Sequence, residues 1–182
     1  MPARVAPASP PFEPDIAEII DRTMNGRPPL HLFATIARDP RLARKFFAGG
    51  LLDKGHLSLR QREIVIERTT ALCRSEYEWG VHVAVYAAKA GLTEEQVRST
   101  VTGSAKDPCW SDEDRLLVRL CDALHRECDI DDELWLALRE AFSENAIIEL
   151  LMLAGFYRTV SYLTNGLRIP LEGRGARFPA KA

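Results

Sequence analysis

Five positions in this chain set a helix-starting residue in front of an apolar run, and together they leave room for little but a helical fold. Ser58 with Gln61 and Thr93 with Gln96 form capping-box signatures, in which the hydroxyl takes a first-turn amide and the glutamine reaches back to the cap. Ser111 with Asp114 opens a helix through LLVRLCDALHRE, and Asp131 caps LWLALREAF. Ser143 precedes ENAIIELLMLAGFYRTVSYLTN, about six turns of mostly apolar residues with Gly166 placed as a stop. Upstream, IAEIIDRTM, PLHLFATIARDP and PRLARKFFAGG read as three short helices bounded by proline or by a glycine pair. No β-branched alternation with hairpin signals appears, so the predicted class is all-α.

Length allows one sizeable core and not two, since the chain has 182 residues and 46% hydrophobic content. Residues 1–14 hold five of the eleven prolines and read as a disordered or draped arm. The helical domain is expected over 15–172, with a C-terminal tail over 173–182. A net charge of −2, spread over interspersed residues, argues against nucleic-acid or membrane partners, which need a concentrated cationic surface. The amino terminus lacks the apolar stretch of a signal peptide, and the expected location is cytoplasmic. Cys73, Cys109, Cys121 and Cys128 show neither a CxxC pair nor zinc-ligand spacing and read as reduced thiols.

The segment LSLRQREIVIERTTALCRSEYEWGVHVAVYAAKAG carries the candidate chemistry. A break at RSEYE separates a helix bearing Glu63 from a second one running from Ser75 to Ala90 and ended by Gly91. At about 100° per residue, Ser75, Glu78 and His82 fall within roughly 60° of one another, whereas Cys73 points about 180° from His82. Glu78 and His82, one turn apart, can share a proton near neutrality if sheltered, or form a surface pair worth only about 0.2–0.5 kcal/mol. Glu63 is either a relay that orients His82 or an exposed first-turn glutamate. Ser75 is open to three roles: helix cap, donor to substrate, or nucleophile. Trp79, Tyr77 and Tyr157 are candidate pocket walls, with Thr159 and Asn165 as further contacts, and Arg68 or Arg74 as a carboxylate anchor. Glu63, Glu78 and His82 could form a facial metal set, but a single Glu-x-x-x-His lacks the doubled Glu-x-x-His of di-iron sites. No metal or cofactor is expected.

The same segment resembles the carboxymuconolactone decarboxylase and alkyl hydroperoxidase D family. Its peroxidase branch carries a helical Glu followed, twelve residues on, by Cys-x-x-Cys-x-x-x-His; here Glu63 and His82 match, while Ser75 and Glu78 stand in place of the two cysteines. The string Tyr77-Glu78-Trp79-x-x-His82 resembles a thiol-free, decarboxylase-like branch, with similarity from about Leu30 to Pro170. The resemblance implies a helical domain that associates into trimers or hexamers. It also implies a cofactor-independent lyase acting on a small carboxylated or lactone-like substrate, with Glu63, Glu78 and His82 catalytic and Ser75, Trp79 and Tyr157 at the substrate. The alternatives are peroxidase-like (peroxiredoxin) activity and a non-catalytic ligand-binding oligomer.

Overall fold

The computed structural model describes residues 2–180; Met1, Lys181 and Ala182, the ends of the expected arm and tail, lie outside them. The helices are α1 (Pro14–Met24), α2 (His31–Ile36), α3 (Pro40–Ala48), α4 (Leu59–Leu72), α5 (Glu76–His82), α6 (Glu94–Thr102), α7 (Asp112–Glu127), α8 (Asp132–Ala141) and α9 (Glu144–Gly166). No strand occurs among the described residues. The caps form where the sequence puts them: Ser58 and Thr93 close complete capping boxes, and Ser111, Asp131 and Ser143 each accept a first-turn amide.

Helix α4 is the axis of the fold, packed by α5, α6, α7 and α9. Its Ile64, Val65 and Ile66 are all fully buried, which is why three adjacent apolar residues stand where an amphipathic helix would have one or two. Helix α9 lays Ile147, Leu150, Leu153, Tyr157 and Val160 against this core. A smaller cluster of Ile16, Ile20, Met24, Ala37 and Ala43 joins α1, α2 and α3.

Around α5 the expected break at RSEYE forms, and one detail differs from expectation. The chain turns between α4 and α5 through Arg74, at φ 56°, a left-handed conformation that costs a non-glycine residue energy. The expected unbroken helix from Ser75 to Ala90 instead ends its α-helical part at His82 and continues as a π-helical turn, Val83–Ala87. Such insertions widen the helix locally and often sit at functional residues.

Both termini are pinned by backbone bonds. Arg4 N–H donates to the Leu167 carbonyl (2.9 Å) and Ala8 N–H to that of Ala34 (3.1 Å), so the proline-rich arm drapes over the body. The C-terminal segment runs along α5, where Ala176 N–H donates to the Gly80 carbonyl at 2.9 Å and Phe178 packs on Trp79 at a 55° tilt.

Candidate functional site

Glu63, at the second turn of α4, is fully buried because its helix turns that face onto α5. A carboxylate carried to zero exposure needs a partner. It has one in His82, whose ring Nδ1 lies 2.7 Å from Glu63 Oε2. The second ring nitrogen, Nε2, lies 3.5 Å from Glu78 Oε1 one turn earlier. The imidazole is thus flanked by two carboxylates, and the tighter one comes from the other helix. Burial alone pulls the His82 pKa down, but the bonds and charges of Glu63 and Glu78 prevail and hold it up at about 10. At neutral pH His82 is an imidazolium with both nitrogens carrying protons.

The outer side of this pair opens on a cavity of about 1130 Å³, with Glu78, His82 and Tyr157 in its wall. Tyr157 presents its edge to the imidazole, ring centroids 5.0 Å apart. Burial, reinforced by the negative charge of Glu78, raises its hydroxyl pKa well above the ordinary value, so it stays a neutral phenol. Glu78 Oε2 is buried and has no hydrogen-bond partner, which leaves an acceptor for something else.

Other expected contacts fall elsewhere. Ser75 makes no cap bond; its Oγ sits 2.8 Å from Thr164 Oγ1 in the interior and does not line the cavity. Its angular phase matches that of His82, but seven residues of helix rise put it about 10 Å along the axis. Trp79 also lies outside the cavity wall, its indole N–H donating to Thr100 Oγ1 (2.9 Å). Asn165 caps the Cys73 carbonyl, and Thr159 bonds back to Gly155 on the outer face of α9. Arg68 is a buried structural cation, bonded to Asp122 (2.7 Å) and to the carbonyls of Thr100 and Gly103. Arg74 is exposed and is absent from the cavity wall. Among the described residues, no group of three His, Cys, Asp or Glu side chains is arranged to hold a metal ion.

The structure also adds residues the sequence argument passed over. Glu67, one turn after Glu63, is fully buried with both carboxyl oxygens unpartnered. Burial first, and the charge of Glu63 second, raise its pKa to about 8 against the opposing pull of His82, so it is a neutral acid beside the pair. Spacing of i,i+4 from Glu63 within IVIERTT was the available signal. Arg62 places Nε 3.7 Å from Glu63 Oε1 and donates from Nη1 to the Leu52 and Asp53 carbonyls, tying the loop before α4 to the site. Glu172, from the C-terminal segment, accepts from the Tyr77 hydroxyl (2.5 Å) and the His31 amide (2.6 Å) and closes another part of the wall. No sequence signal links these three segments.

Comparison with known proteins places the geometry in context. Residues 40–117, which carry Glu63, Glu78 and His82, match the carboxymuconolactone decarboxylase family. No curated protein matches the sequence significantly. Among solved structures, a variant of the debrominase Bmp8 in complex with 2,3,4-tribromopyrrole aligns with a TM-score of 0.79 at 15% identity, covering 96% of this chain and 94% of that one. An alkylhydroperoxidase AhpD core protein from Ralstonia eutropha JMP134, described as peroxidase-related, aligns at 0.79 and 17% identity over 95% and 94%. A peroxidase-related protein from Silicibacter sp. TM1040 aligns at 0.79 and 17% over 98% and 96%. At these identities the likeness is one of fold.

Proposed function

We propose that this chain, a member of the carboxymuconolactone decarboxylase family through residues 40–117, is a cofactor-independent acid–base enzyme of cytoplasmic location that acts on a small carboxylated or lactone-like substrate. The observation that carries the reading is His82, held between Glu63 and Glu78 at the wall of an accessible cavity. In a decarboxylation the carbon–carbon bond to the carboxylate breaks, carbon dioxide leaves, and the electron pair stays on the substrate as an enolate-like carbanion. The His82 imidazolium stabilises that charge and gives its proton to the carbon. Glu63 fixes the ring and keeps it protonated; solvent reaching the cavity restores the proton. Glu78, in the cavity wall beside His82, is placed to orient substrate or to take a proton in the reverse sense.

Peroxidase chemistry is the competing reading, favoured only at the level of fold by the peroxidase-related neighbours. Reduction of a peroxide by a thiol needs an accessible thiolate. No cysteine lines this cavity, and burial raises the Cys73 thiol pKa.

The test is a screen of small keto acids, lactones and carboxylates, followed by carbon dioxide release or solvent-deuterium incorporation, with wild type, His82→Gln and Glu63→Gln. Turnover lost in both variants with helical content retained supports the reading. Hydroperoxide turnover that Cys73→Ser abolishes, or ligand binding without turnover, would replace it with a redox or a binding role.

A further inference from the structure

We infer that the ligand of this cavity is an aromatic carboxylate, whose ring lies on a file of side-chain rings leading to His82 and whose carboxylate meets Arg27 and Arg174. The inference rests on the acid–base reading only for what happens after binding. The file is continuous. Phe47 packs on Phe46 with centroids 5.6 Å apart, Phe46 on Phe156 at 5.3 Å, and Phe156 on Tyr157 at 5.6 Å. Tyr157 then meets His82 at 5.0 Å, and His82 meets Tyr86 at 5.4 Å with a 35° tilt. All six line the one cavity.

A wall of rings set edge-to-face or tilted against one another presents both ring edges and ring faces, positive at the edges and negative over the faces. A flat ring matches that pattern by offset stacking or T-packing. A saturated ring of the same size carries hydrogens above and below its mean plane and has no quadrupole to match. An aliphatic keto acid would leave much of the wall uncovered.

Two guanidinium groups supply the anchor for the other half of the ligand. Arg27 and Arg174 are the guanidinium groups in the cavity wall, and neither forms an ion pair among the described residues. Arg27 uses Nε on the Met24 carbonyl (2.9 Å), which leaves its terminal nitrogens to present a planar fork. Such a fork suits a carboxylate held by two parallel bonds. Asp53, Glu78 and Glu172 also line the cavity. Glu172 is occupied by Tyr77 and the His31 amide, and Glu78 Oε1 lies 3.5 Å from His82 Nε2.

Calorimetric or ligand-detected NMR titration of the full chain tests this with four probes: 4-hydroxybenzoate, benzoate, cyclohexanecarboxylate and uncharged 4-hydroxybenzyl alcohol. Saturable binding of 4-hydroxybenzoate is expected, with cyclohexanecarboxylate and the alcohol each weaker by several-fold and up to about tenfold, the upper end of what one aromatic contact supplies. Arg174→Gln should weaken both benzoates and leave the alcohol unchanged. Phe46→Leu should narrow the gap between the aromatic and saturated acids; the wild-type probe series decides the matter even if that variant does not fold. Equal binding of the saturated acid, or no saturation by either benzoate, overturns the inference. The two proposals fail separately. Benzoates that bind but never exchange a ring hydrogen or release carbon dioxide leave the ligand class standing and remove the acid–base role. His82-dependent turnover of an aliphatic keto acid, without benzoate binding, does the reverse.

Discussion

Replacing Glu67 with glutamine should make the protein more stable relative to wild type as pH rises, and the size of the effect can be worked from the site. Glu67 has no exposure and no hydrogen-bond partner for either oxygen. Its folded pKa of about 8 compares with an ordinary 4.5. An acid whose folded pKa is raised keeps a proton that the unfolded chain releases. Stability is therefore highest when both states are protonated, falls as pH climbs from 4.5 to about 8, and levels off above that. The slope is about 1.4 kcal/mol per pH unit in the middle of that range and less near either pKa, which amounts to about 3.5 kcal/mol between pH 5 and pH 8. Glutamine has the same shape and does not titrate, so it removes the slope; any cost of burying its amide is a constant offset. Urea unfolding of both proteins at several pH values from 5 to 8 measures the difference. Wild-type and variant curves that stay parallel across that range would show that Glu67 is ionised in the folded state, and would refute the reasoning.

His82 gives the opposite sign, since a base with a raised folded pKa contributes stability that is complete below about 6.5 and lost as pH rises through about 10. His82→Gln should abolish that alkaline loss, read as melting temperature against pH, and should lower stability at neutral pH because Glu63 is left buried without its partner. Gly80→Ala should destabilise by about 1–3 kcal/mol, because the added Cβ would run into the Ala176 backbone carbonyl and push the C-terminal segment from α5. Differential scanning fluorimetry checks it; an unchanged melting point would mean that the segment moves aside at no cost. Self-association is expected through the outer face of α9, where Ile148, Met152 and Tyr162 are 55–61% exposed and fall on one stripe with Gly155. Light scattering that gives 20.4 kDa at micromolar concentration would count against it.

The helices were legible because their starts are local chemistry. A serine or threonine at the head of a helical run needs nothing beyond its own turn to act as a cap, so Ser58, Thr93, Ser111 and Ser143 name their helices without tertiary information. The π-helical turn after His82 has no such marker. VAVYA is compatible with an ordinary helix, and the extra residue in the turn reflects packing around the site, which periodicity in the sequence does not encode. Where the terminal segments dock has no local marker either: Arg4 and Ala176 bond through their backbone N–H groups to distant carbonyls, as any residue but proline could, and only the Arg4 guanidinium adds a side-chain bond, to the Gly166 carbonyl.

At the site, the limits of angular reasoning are plain in what became of Ser75. A helical wheel keeps direction and discards rise, so it ranked Ser75 with Glu78 and His82 although it sits at the far end of α5, on Thr164. The same wheel pairs His82 with Glu78, because it sees only one helix. The contact that matters more, Glu63 to His82 at 2.7 Å, crosses from α4 to α5; only the family spacing hinted at it. Glu67 escaped both arguments for a further reason. A glutamate inside an apolar run is normally taken as the solvent side of the helix, yet α4 is surrounded, so that side does not exist. Along its middle turns, where neighbours cover every face, the charged residues Glu63, Glu67 and Arg68 all become buried groups. The α4 glutamates then have two stable outcomes, a bonded partner or a retained proton. Glu63 takes the first through His82 and Glu67 the second, and the two together leave an imidazolium at the cavity wall beside a carboxylic acid that holds its proton to about pH 8.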